Sequence, residues 1–408
     1  MCIFFFTLDH PIYCLIAASN RDEFLARPTR EAGWHSFGLG GTTSASAADE
    51  SMPLVLSGID THPAGGGTWL GISRSGRFGS LLNYTERPPP PPKLELGIDH
   101  YLSRGELVRR WLVAHDASEG PAHISGQQGL EAYLQSVHET RDYFPGFNLL
   151  IGQTEQRQDE DGDGRRSTTS FKLGYVSNRT QGDASKPLVL EANSDQLRSG
   201  ASPCVACGLS NSVYQEPWPK VQEGKRLFDQ ALQAWPASSS PTDAEEEDLI
   251  ERLFTVLGTN SDPEIPPPQP ANIRSTIQVP PVQLPIAKPN QRTAPSSTRS
   301  DTQASRGDAN PPPVPAQKQD PPQQGTNDAA RAIAAAIAAG AELGWYGTRL
   351  STVILIRRSD GHATFVERDV FGLGEDGETV QRAADKGKKD ERRFRWVIGG
   401  DASPSIHS

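Results

Sequence analysis

The first apolar run of the chain covers Cys2 to Leu8 and the second covers Tyr13 to Ser19, with Asp9-His10-Pro11-Ile12 between them. Two β-rich runs around a polar, proline-bearing break predict an antiparallel hairpin. Further strand-like runs lie at Leu54–Leu56, Thr68–Ile72, Phe78–Asn83, Phe147–Ile151, Leu173–Val176, Thr352–Arg357 and Thr364–Glu367. Short glycine-containing breaks at Gly71–Gly76 and Ser359–His362 predict tight hairpins. Helical periodicity marks Leu107–His115, Gly129–His138, Trp218–Ala234 and Ala244–Leu257. Hairpins with separate helices predict mainly antiparallel sheets carrying helices outside, not a repeated βαβ unit.

Three stretches interrupt this pattern. Pro88–Pro92 is a five-proline run, expected as a short extended surface loop. Gln156–Thr169 is expected to be a charged insertion between strands; its acids lack the flanking helices and terminal Glu of a calcium loop. From Leu284 to Asp328 the chain is Pro, Gln, Ser, Thr and Asn with almost no large apolar residue, and is expected to be disordered. The expected organisation is one domain in two parts, residues 1–283 and 341–408, around a disordered insertion at 284–340.

Composition agrees with a diluted core. There are 34 prolines and 38 glycines against 35% hydrophobic residues, and the roughly 300 residues outside the insertions suffice for one large core. A net charge of -10 without a Lys/Arg run argues against nucleic acid as a partner. Four cysteines, at 2, 14, 204 and 207, make no disulfide framework and fit a reducing compartment, expected to be the cytoplasm. No apolar run reaches the ~18 residues of a membrane span, and the first charge is Asp9, not a basic n-region. Cys204 and Cys207 have redox spacing without a βαβ context, and the nine histidines are singles, so no metal or cofactor is expected.

Cys2 directly follows Met1, and methionine is removed ahead of small residues. A freed Cys2 would carry a thiol nucleophile and an α-amine of pKa roughly 7.7–8.0 on one residue. The competing reading is a small buried residue at the start of an edge strand. The hairpin is expected to set Cys2 opposite about Ser19, so that the Asn20-Arg21-Asp22-Glu23 loop emerges beside it. Arg21 would then lower the thiol pKa, and Asp22 would hold the α-amine. A solvated loop or a helix N-cap at Asn20 or Asp22 is the alternative. Trp69 either packs between layers or forms a substrate wall.

The chain resembles the NRDE family, named for transport and Golgi organisation. The resemblance rests on Met1-Cys2, Asn20-Arg21-Asp22-Glu23-Phe24, Arg27-Pro28, Gly66-Gly67-Thr68-Trp69-Leu70-Gly71, Asn83-Tyr84, Ser103-Arg104-Gly105-Glu106, Gly146-Phe147-Asn148-Leu149, Gly208-Leu209-Ser210-Asn211 and Tyr346-Gly347-Thr348-Arg349. It implies an α+β fold, a four-layer αββα sandwich like the N-terminal-nucleophile hydrolases. It implies Cys2 as nucleophile, Arg21 and Asp22 beside it, Asn83 and Asn211 as oxyanion donors, and Arg349, with Asn20 and Trp69, on the substrate. Three functions follow from it: secretory-pathway transport and Golgi organisation through a Cys2 pocket; an amidase or thioesterase acting on an acyl substrate; or a carrier of haem or acyl lipid. The expected partner is a small acyl compound or haem, and the Golgi or mitochondria are the associated organelles.

Overall fold

The computed structural model describes residues 2–37, 54–62, 66–85, 101–113, 128–161, 164–192, 206–235, 238, 240–260, 273–286, 340–383, 390–400 and 405–407. One sheet runs, in spatial order, β10 (Cys207–Leu209), β1 (Ile3–Thr7), β2 (Tyr13–Phe24), β12 (Leu343–Arg357), β13 (His362–Asp369), β16 (Glu391–Val397) and β17 (Ser405–His407). An eighth strand, β11 (Val282–Pro285), also pairs with β12. The second sheet follows chain order: β3 (Thr29–His35), β4 (Val55–Asp60), β5 (Leu70–Ser73), β6 (Phe78–Asn83), β7 (Phe147–Asp161), β8 (Gly164–Ser177) and β9 (Leu188–Glu191). A small ribbon pairs β14 (Phe371–Leu373) with β15 (Val380–Arg382). The strand pairs are antiparallel, and among the described residues there are four α-helices: α1 (Gly105–Val113), α2 (Leu130–Glu139), α3 (Pro219–Gln233) and α4 (Asp243–Leu257).

Strand alternation builds the layers. In β1, Phe4 and Phe6 turn toward the other sheet while Ile3 and Phe5 turn toward the helices. Between the sheets Phe4 packs on Phe6 and Phe78 at 5.7 and 5.6 Å, and Ala17, Ile354 and Phe365 meet Leu56, Ile72 and Leu150. Phe228, Leu249 and Leu253 of α3 and α4 cover Phe5, Ile16 and Val353. Trp111 and Tyr133 of α1 and α2 cover Val55 and Ile151. This is the expected four-layer αββα sandwich. Each fully buried side chain contributes about 1.5–3 kcal/mol, so the inter-sheet layer carries much of the stability. The helix starts are locally encoded: Thr242 and Glu245 form a capping box at α4, and Pro219 occupies the first turn of α3.

Several expectations are corrected. Ile3 pairs with Asn20 and Phe4 with Ser19, two residues beyond the expected register. The turn is wider because His10 is buried and its Nδ1 accepts from the amides of Ile12 and Tyr13. The Asn20–Glu23 tetrad is not a loop: it continues β2, clamped by β12. The charged stretch at 156–169 is not an insertion either. It extends β7 and β8 into a ribbon paired as far as Asp161 and Gly164, and an all-polar ribbon gives no apolar signal. Leu284 and Pro285 pair with Gly344 and Leu343, so strand structure passes residue 284. Most of the 284–340 segment, the five-proline run and Cys204 lie outside the described residues. Among the described residues no helix is long and apolar enough to cross a membrane.

Candidate functional site

The β1–β2 register brings Cys2 level with Arg21, one step past the Ile3–Asn20 pair. Alternation along β2 then divides the tetrad between two faces. Arg21 turns toward the second sheet, and Asn20 and Asp22 turn toward the helices.

Arg21 is 6% exposed, and its guanidinium stacks on the Trp69 ring at 4.0 Å. Trp69 reaches it over Gly58, where a Cβ would come within 2.6 Å of the indole. Nη1 of Arg21 is buried without a hydrogen-bond partner. Asn20 is fully buried and fully occupied: Nδ2 donates to the carbonyls of Leu257 and Ile277 at 2.9 and 3.1 Å, and Oδ1 accepts from Ser351 at 2.6 Å. It closes the end of α4 and is not among the residues lining the Cys2 cavity.

Asp22 lies between β12 and α3. Oδ1 accepts from Thr348 Oγ1 at 2.6 Å, and Oδ2 is 3.7 Å from Lys220 Nζ, both side chains being fully buried. Burial pulls the Lys220 pKa down, and the Asp22 charge opposes that pull. The Asp22 carbonyl accepts from Tyr346 at 3.0 Å and receives the Cys2 thiol at 3.8 Å. Ser210 pins the start of the chain by donating to the Cys2 carbonyl at 2.7 Å.

Cys2, Arg21, Asp22, Trp69 and Asn83 line one cavity of about 290 Å³, walled by Ser103, Arg104 and Gly105. Two motifs meet there by backbone contact, since a Cβ on Gly67 would sit 2.3 Å from the Gly105 carbonyl carbon. Arg27 and Asp60 close a side of the cavity with a 2.6 Å ion pair. The thiol is half-buried. Burial pushes its pKa up; the positive amino terminus of the chain pulls it down, Asp22 adds to the rise, and Arg21 adds to the fall. Arg21 therefore lowers the thiol pKa as expected, but burial outweighs it.

Two expected residues stand elsewhere. Asn211 is buried with Oδ1 unpartnered, but it is not among the lining residues of the Cys2 cavity. Arg349 is the extra residue of a β-bulge, because pairing passes from Thr348–Asp22 to Leu350–Arg21. Its Nη1 donates to the Arg27 carbonyl, and it lines a second cavity of about 500 Å³ with Leu25, Thr29, Asp369 and Phe371. Burial brings its pKa down to about 10, and Arg21 adds to the fall. Lys220, Ser210, Thr348 and Tyr346 were not singled out by sequence reasoning. The last three sit inside recognised motifs, whereas Lys220 gives no signal short of the helix docking.

A family model described as Transport and Golgi organisation 2 matches residues 1–371. The chain is 28% identical over 378 residues to the transport and Golgi organization protein 2 homolog of Bos taurus, covering 91% of this chain and 94% of that one. It is 29% identical over 274 residues to the Homo sapiens homolog, covering 66% and 75%. Against transport and Golgi organization protein 2 of Drosophila melanogaster it is 39% identical over 252 residues, covering 59% and 69%.

Proposed function

Because the chain belongs to the Transport and Golgi organisation 2 family, we propose that it serves the secretory pathway from the cytoplasm, in association with the Golgi or mitochondria, as an N-terminal-nucleophile amidase or thioesterase. The reading is carried by the convergence of Cys2, Arg21, Trp69 and Asn83 on one cavity. It requires Cys2 to lead the mature chain, with Met1 removed. The thiol proton passes to the α-amine, whose reference pKa is roughly 8, as sulfur attacks the acyl carbon. Asn83 donates to the developing oxyanion. Asp22, held by Thr348 and Lys220, stabilises the ammonium. The ammonium returns its proton to the departing amine or thiol, and water then cleaves the thioester on Cys2 to the free acid.

Turnover of a panel of acyl amides and thioesters tests this. Wild type is expected to hydrolyse at least one member, and Cys2→Ala is expected to lose about 10³-fold or more of that rate. Equal rates in the two proteins would exclude Cys2 as nucleophile. A second reading is that the same cavity, at about 290 Å³, holds a small acyl compound without consuming it, leaving no room for haem. Stoichiometric binding with complete recovery of the ligand would select it.

A further inference from the structure

Several charges around the cavity are paired, and Arg104 donates to the Gly146 carbonyl. Arg27 pairs with Asp60 at 2.6 Å and lies 3.7 Å from Glu23, while Asp22 faces Lys220. Arg21 makes no ion pair among the described residues, and its Nη1 has no acceptor although the residue is only 6% exposed. Burying a guanidinium N–H without an acceptor is unfavourable. Trp69 covers one face of the group at 4.0 Å, and the group lines the cavity, so the cavity is where the acceptor comes from. A planar guanidinium fork matches a carboxylate in two parallel hydrogen bonds.

Position then fixes where that carboxylate sits in the ligand. Extending the Ile3–Asn20 pairing by one step sets Cys2 beside Arg21, where each feels the other's charge, and side chains in that relation have Cβ atoms about 5 Å apart. A group held by Arg21 is therefore only a few bonds from a carbon attacked by the Cys2 sulfur. The cavity, at about 290 Å³, is at the small end of ligand pockets and leaves little room for a longer link.

The geometry points to an acyl ligand bearing a carboxylate a few bonds from its acyl carbon, anchored by Arg21 against Trp69. This rests on Cys2 as the reacting centre. The carboxylate comes either on the leaving side, as in an N-acyl amino acid, or on the acyl side, as in the monoamide of a short dicarboxylic acid.

Calorimetric titration of full-length Cys2→Ala, which cannot consume ligand through the thiol, separates these cases. The probes are N-butanoylglycine, its neutral analogue N-butanoylglycinamide, and succinic acid monopropylamide. One of the two acids is expected to bind about tenfold or more tightly than the neutral amide, and the tighter acid identifies the side. Adding Arg21→Gln is expected to abolish the difference between the acids and the neutral amide. Should that variant unfold, Arg21→Lys serves in its place: it keeps the charge but not the planar fork, so the preference is expected to shrink. The inference is overturned if the neutral amide binds as tightly as both acids, if the preference survives Arg21→Gln, or if no probe binds. Hydrolysis of neutral amides without acid preference would sink this inference alone. Acid preference without turnover by wild type would sink the hydrolase reading alone.

Discussion

Lys220→Met is expected to lower the unfolding free energy by about 3–5 kcal/mol. The change leaves volume nearly intact and removes only the ammonium 3.7 Å from Asp22. The carboxylate keeps its 2.6 Å bond from Thr348 but loses its buried counter-charge in a region of low dielectric. The double variant Asp22→Asn/Lys220→Met is expected to recover most of the loss, because neither buried group is then charged. Urea unfolding of wild type, the single variant and the double variant checks the prediction. Equal stability of wild type and Lys220→Met would mean that the pair contributes nothing to the packing of α3 on the first sheet.

One serine inserted ahead of Cys2 is expected to cost turnover about 10²–10⁴-fold, the usual worth of a positioned general base. The α-amine then belongs to another residue, and the Cys2 thiol, whose pKa burial raises, loses the base carried on its own residue. The unfolding midpoint is expected to stay put, since sheet pairing begins only at Ile3 with Asn20. Rates equal to wild type would require a base other than the chain's own amine.

Much of the fold could be read from the sequence wherever an element has an apolar face. Phe4 and Phe6 alternate with Ile3 and Phe5, and that pattern alone predicts a strand buried on both sides. The β3 segment could not be read in this way, because only Ala32 among its residues is buried. The strand β10 is three residues long and is held by pairing with β1, which no local pattern reveals. In the site, the chemistry-bearing motifs were visible but their faces were not. Taking Asn20–Glu23 as a loop gave all four side chains one environment. As a strand they alternate, so that Arg21 reaches Trp69 while Asn20 serves α4. A bulge likewise re-aims Arg349 away from Cys2, and one-residue irregularities of this kind leave no trace in periodicity. Lys220 was hidden for a different reason. A lone lysine near a helix start reads as solvent-exposed until the opposing strand supplies Asp22.

The role of Cys2 is tested most directly by peptide mapping after rapid acid quench of wild type with an acyl thioester that is turned over. The acyl mass is expected on the peptide beginning at Cys2, labile to hydroxylamine as a thioester, with Met1 absent. Acylation at Cys14 or Cys207 instead, or rapid turnover by protein that retains Met1, would contradict it.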